Sequence, residues 1–193
     1  MLDFKQLSSW QRTAFCAVLL ERMLPNYQLF SQVANFGDDK LLRNQLDLIW
    51  QKLSANHVKI NVDAQLNKLE LQIPDPNDFD FFGAYLALDA CMALMALLQG
   101  EQENSLDCID QVSGLSKNSV IYYVELLLSQ DLNDEDAIEE EEINNHPLMQ
   151  WEIATQQEIF NFLLSAPENK LTCQKVKALV LSEGLSNLGI EIN

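Results

Sequence analysis

The chain has 193 residues, 48% of them hydrophobic, with six glycines, five prolines and a net charge of −17. This is the composition of a globular chain and not of a disordered one. The acid is unevenly placed: between Leu69 and Asn169 there are 21 acidic residues and one base, Lys117. Such a surface repels phosphate backbones and anionic lipid, which excludes nucleic-acid binding through a basic patch.

Taken in order, Ser8 and Gln11 are spaced as a capping box. The helix they open carries Trp10, Ala14, Ala17, Val18 and Leu20 to Leu24, and Pro25 is expected to end it. The apolar run from Ala14 to Leu20 is short and is followed at once by Glu21 and Arg22. It has no small-residue cleavage site, so it reads as a helix and not an export signal, with the cytoplasm as the default location. A short helix from Tyr27 to Phe36 then stops at Gly37. Asp38 or Asp39 caps a third, reaching about Ala55 with Leu42, Leu46, Ile49, Trp50 and Leu53 on one face. His57 to Val62 alternates like a strand, but Val62, Leu66, Leu69 and Ile73 recur at helical intervals and predict a helix over Asn61 to Ile73.

The spine of the chain is Phe79 to Leu98, FDFFGAYLALDACMALMALL, apolar on almost every side with Asp89 in its middle. After Gly83 it contains no β-branched residue and no proline. Asp78 is the expected N-cap and Gly100 the expected stop. Its length would cross a bilayer, but Asp89 would then cost roughly 2.5 to 3.5 kcal/mol at the membrane centre. The flanks also lack the Lys or Arg that orients a span, so we expect the centre of a bundle and no membrane partner. Ser105 to Val112 and Lys117 to Leu128 predict two more helices parted by Ser113 and Gly114. The second is rich in β-branched and aromatic residues, but no partner strand is visible. An acidic surface loop spans 131–146, His146 and Pro147 restart a helix that runs up to Pro167, and a last one covers about Leu171 to Glu183. Gly184 ends it, leaving 185–193 as a loose tail. The expected fold is therefore a single all-α domain over 1–193, a bundle of about eight helices around 79–98.

The segments ERMLPNYQLF (Glu21 to Phe30) and FGAYLALDAC (Phe82 to Cys91) resemble the YjaG-like bacterial proteins, a family built on a domain of unknown function. The likeness extends to SSWQRTAFCAVLLERM (Ser8 to Met23), LDLIW (Leu46 to Trp50) and LNKLELQIPD (Leu66 to Asp75). Where the family's central motif has proline after the tyrosine, this chain has Leu86, which leaves the helix less interrupted. The resemblance implies a compact, all-helical, cytoplasmic protein and carries over no catalytic residue.

Asp89 is the residue to single out, because a carboxylate inside an apolar helix must be paired, hydrogen-bonded or neutralised. Arg22 is its expected partner, with Arg12 and His57 behind it. Tyr27, in a tight turn after Pro25 and Asn26, could join Arg22 and Asp89 in a polar, ligand-binding pocket. The plainer reading is a buried ion pair that sets helix register, beside a tyrosine capping a helix junction. Counted from Asp131, an EF-hand pattern finds Asp131, Asn133, Glu135, Ile138 and Glu142 at positions one, three, five, eight and twelve. Position six is Asp136 where the turn needs glycine, so a solvated loop is the better reading. Cys16, Cys91, Cys108 and Cys173 have no C-x-x-C spacing and fit free buried thiols, and two distant histidines make no metal site. No metal, cofactor or nucleophile signature is readable. We expect a non-enzymatic interaction or structural protein whose acidic surface admits a second copy or a basic protein as partner. The alternative is a ligand binder or enzyme with a pocket near Asp89 and Arg22.

Overall fold

The computed structural model describes residues 2–55, 57–103, 107–130, 138–182 and 184–191. Among the described residues the eight α-helices are α1 (Ser9–Ala34), α2 (Asp39–Ser54), α3 (Val62–Glu70), α4 (Gly83–Glu103), α5 (Asp107–Ser129), α6 (Glu140–Asn145), α7 (Pro147–Ser165) and α8 (Lys170–Leu181). Two 3-10 turns, Phe4–Gln6 and Pro76–Asp78, complete the helical set. Among the described residues the extended pairing is limited to an isolated bridge between Leu185 and Glu191. The fold is all-α.

Two helices, not one, form the centre. In α1 every residue from Ala14 to Leu24 is buried, and α4 lies along it with Ala84, Ala87, Ala90, Cys91, Leu94, Leu97 and Leu98 buried in the same core. Small residues on α4 let the two backbones approach closely, while the Leu, Phe and Met side chains of α1 fill the space to α2, α5, α7 and α8. By length and composition α4 could cross a membrane, yet most of its apolar window is turned into the bundle.

The capping box holds: Ser8 Oγ accepts from the Gln11 amide at 3.1 Å, and Gln11 Oε1 accepts from the Ser8 amide at 2.9 Å. Pro25 does not end the helix. α1 runs through it to Ala34, so the predicted first and second helices are one. Proline in a helix interior removes one hydrogen bond and crowds the preceding turn, which tertiary packing must repay. Here Tyr27 and Phe30, beyond the proline, are fully buried. Phe30 meets Phe36 and Phe79 edge-on at 5.9 and 5.0 Å.

That aromatic cluster also corrects the start of the central helix. Asp75 caps the Pro76–Asp78 turn, Phe79 and Phe81 are drawn onto Phe30, and α4 begins only at Gly83. Gly100 is likewise not a stop. It is helical, and a Cβ there would lie 2.5 Å from Cys108 Sγ, so the glycine serves the close approach of α5. Ser113 and Gly114 do not divide the next helix, since the Ser113 hydroxyl donates to Gln156 and leaves the α5 backbone intact. Within the predicted acidic loop, Glu140–Asn145 is the short helix α6.

Of the predicted loose tail, the described residues up to Glu191 are anchored. Ser186, Asn187 and Leu188 are buried, Ser186 Oγ accepts from the amides of Leu188 and Ile190, and the Ser186 amide donates to Ile190 O at 2.8 Å. Each terminus of this small turn is thereby satisfied without a sheet.

Candidate functional site

Arg22 and Asp89, expected to pair, belong to different networks. Arg22 projects from α1 toward α7, where its Nη1 forms an ion pair with Glu152 and its guanidinium lies 4.5 Å from the centre of the Trp151 ring. Both charged side chains are buried, at 1% and 0% exposure. Glu152 Oε1 also accepts from Ser116 Oγ and Gln156 Nε2, each at 2.7 Å. Asn187 closes the network from the tail: its Nδ2 donates to Ser116 O at 3.1 Å, its Oδ1 accepts from Asn26 Nδ2 at 2.8 Å, and its amide donates to Arg22 O at 3.1 Å. A buried ion pair repays desolvation only when its remaining lone pairs and protons are occupied. Here α1, α5, α7 and the tail supply partners to Glu152 and to the Arg22 carbonyl, while Arg22 Nη2 is buried without a hydrogen-bond partner among the described residues and the guanidinium lies over the Trp151 ring.

Asp89, 5% exposed, faces α5. Its carboxylate accepts from Ser119 Oγ at 3.0 Å and from Asn118 Nδ2 at 3.1 and 3.3 Å to its two oxygens. Among the described residues no cation pairs with it. Burial therefore raises its pKa to about 6, and the two neutral donors offset only part of that rise. Asn118 in turn lines an open groove of about 630 Å3 between α4 and α5, floored by Met92, Met95, Ala96 and Leu115.

Tyr27 joins neither network. Its hydroxyl donates to Gln72 O at 3.0 Å, and burial pushes its pKa up. It lines a separate cavity of about 530 Å3 at the Pro25 turn of α1, together with Glu21, Arg43, Asp39 and Lys40. There Glu21 accepts from Trp50 Nε1 at 2.7 Å, from Arg43 Nη1 at 2.6 Å and from Lys177 at 2.9 Å. Burial alone would raise the Glu21 carboxyl, but Arg43 and Lys177 more than cancel it and hold the group below its ordinary value. The proposed triad of Asp89, Arg22 and Tyr27 is thus three sites.

Sequence reasoning missed Glu152, Gln156, Ser116 and Asn187. One signal was available: Glu152 and Gln156 share the spacing of Met149, Ile159 and Leu163, which places two polar residues on the buried stripe of α7. The four cysteines are buried and form no disulfide among the described residues. His146 acts as a cap, its Nδ1 accepting from the Leu148 amide at 3.3 Å. Among the described residues no group of three or more His, Cys, Asp or Glu could hold a metal. The EF-hand pattern begins in residues 131–137, which lie outside the described residues.

A family model described as a protein of unknown function (DUF416) matches residues 2–191. The chain belongs to the DUF416 family. It is 36% identical over 190 residues to the uncharacterized protein YjaG of Escherichia coli K12, covering 98% of this chain and 94% of that one. An uncharacterized protein of Haemophilus influenzae is 35% identical over 197 residues, with 98% and 95% coverage. The crystal structure of a DUF416 family protein from Shewanella baltica OS155 superposes with a TM-score of 0.87 at 33% identity, over the whole of both chains. The DUF416 fold is therefore all-helical here as there, and the relatives' names assign no activity.

Proposed function

We propose that this DUF416 protein is a non-enzymatic interaction protein of the bacterial cytoplasm, acting through an acidic surface. The observation that carries the reading is the separation of Arg22 from Asp89. A catalytic or ligand site would bring such groups together at one cavity, whereas each is engaged by its own neighbours inside the bundle. With 21 acids against one base from Leu69 to Asn169, basic proteins are the partners favoured, and nucleic acid and anionic membrane are disfavoured.

A small-ligand reading is favoured by one feature, the cavity at the Pro25 turn. Arg43, which lines it, has a buried Nε without a hydrogen-bond partner. The two readings part in one paired experiment: cross-linked affinity purification from native cytoplasm beside a thermal-shift screen of metabolites. The interaction reading expects a stoichiometric protein partner and no metabolite shift. A saturable rise in Tm with a metabolite, abolished by Arg43→Ala, would replace it with the ligand reading.

A further inference from the structure

The central helix is not sheathed on every side. On α4 the positions Tyr85, Leu88, Met92, Met95 and Gln99 succeed one another at spacings of three and four. Tyr85 and Met92 are 45% and 38% exposed, with Leu88 and Met95 half-buried. This is the stripe a helix presents to another helix, about 21 Å long at 1.5 Å per residue. Beside it, α5 presents Gln111, Gly114, Leu115 and Asn118, which with Met92, Met95, Ala96 and Gln99 of α4 line the 630 Å3 groove, and Tyr85 and Leu88 continue the α4 stripe beyond it.

Gly114 is what gives the groove a meaning beyond exposed apolar surface. It lies in the interior of α5, where glycine costs about 0.5 to 1 kcal/mol relative to alanine. Yet a Cβ built there meets no atom of the described residues within 4 Å, so nothing in their packing requires the glycine. A notch in a helix wall that the fold does not need suits close approach of a backbone from outside.

Charge selects the occupant. Of the acids on α4 and α5, Asp89 is buried and Glu101 pairs with Lys52, which leaves Glu103, Asp107, Asp110 and Glu125 against one base, Lys117. Of these, Glu103 and Asp107 continue the two stripes at one end, and Glu125 continues the α5 stripe at the other. A second copy would bring acid against acid, at a net charge of −17 per chain. We infer that the α4–α5 groove is the docking site for a basic amphipathic helix of another protein. Its apolar stripe packs on Leu88, Met92, Met95 and Leu115, its backbone enters the Gly114 notch, and its Lys or Arg side chains face the acidic ends. This deepens the interaction reading above and rests on it.

The test uses the full chain and two synthetic amphipathic peptides of about 20 residues. Both have leucine at the a and d positions, one with lysine and the other with glutamate at the remaining positions. Binding is followed by fluorescence anisotropy and analytical ultracentrifugation. The lysine peptide is expected to bind saturably at one per chain and the glutamate peptide not to bind. Gly114→Phe, which fills the notch, and Met92→Lys, which places like charge on the floor, should each weaken binding at least about tenfold. Circular dichroism checks that both variants remain helical, and Met92 is exposed enough for that variant to fold. If the lysine peptide binds wild type and both folded variants alike, the groove assignment is overturned while an acidic interaction surface survives. If it does not bind and the chain is a dimer that Gly114→Phe makes monomeric, the occupant is a second copy and the basic helix is wrong. A monomer that binds neither peptide also overturns it. Failure of the underlying interaction reading is registered separately, by the metabolite shift.

Discussion

Glu152 and Asp89 are both carboxylates withdrawn from water inside the same bundle, and they are answered in different ways. Glu152 meets a full positive charge on Arg22 and neutral donors from Ser116 and Gln156. Among the described residues Asp89 meets only the neutral donors of Asn118 and Ser119. Dipoles compensate a buried charge less completely than an ion does, and the Asp89 carboxyl retains its proton toward neutral pH. The difference also follows location. The Arg22–Glu152 network ties four segments together in the interior, whereas Asp89 stands one hydrogen bond behind the open α4–α5 groove.

The largest effect should come from breaking the interior pair. Arg22→Ala leaves Glu152 buried without its cation and is expected to cost about 3 to 5 kcal/mol in urea unfolding. Replacing both members with apolar residues of similar size, Arg22→Met with Glu152→Leu, should recover most of that loss. A single-variant cost below about 1 kcal/mol would show that the guanidinium is not buried as described.

Asp89 predicts a different signature, in pH. Its ordinary value is 3.8 and its folded value about 6. Between those values the folded chain keeps a proton that the unfolded chain has released. Stability therefore falls as pH rises through that window, by about 3 kcal/mol, and is level above it. Asp89→Asn should abolish this component, making the variant as stable as wild type near pH 4 and more stable at pH 7.5. Glu21, held low by Arg43 and Lys177, contributes in the opposite sense, losing stability as pH falls, so the difference between wild type and Asp89→Asn is the quantity to measure. A variant that parallels wild type across the range would sink the account of Asp89.

A smaller cost is expected at the tail. Asn187→Ala strands the Asn26 side-chain amide in the interior and removes the second hydrogen bond to the Ser116 carbonyl, which keeps its helical one, at about 1 to 3 kcal/mol. If the tail were loose, the variant would unfold with wild type in thermal or urea denaturation.

Helical periodicity made most of the fold legible, because it depends on neighbours three and four residues apart. The Ser8 and Gln11 cap, the α2 stripe from Leu42 to Leu53 and the restart at Pro147 are all local, and all stand in the structure. The failures share one cause. Pro25, Gly100 and Gly114 break isolated helices, but long-range packing by Phe30, Cys108 and Ser113 decides whether they do so here. The partner of Asp89 was illegible for the same reason. Sequence marks a carboxylate that needs an answer, but not which distant groups come to it, and two neutral side chains on α5 were as available as an arginine on α1.

The smallest predicted effect sharpens the contrast at its outer edge. Gly114 lies one helical turn before Asn118, the donor to Asp89, and a methyl group at that position would enter open space. Gly114→Ala should therefore stabilise the isolated chain by about 0.5 to 1 kcal/mol through helix propensity alone, leaving the pH dependence of Asp89 unchanged. The same methyl should hinder a helix seated against α5, so stability and partner binding are expected to move in opposite directions. A destabilised Gly114→Ala chain would mean that the notch is already filled by the protein's own packing, and the groove would then be part of the core.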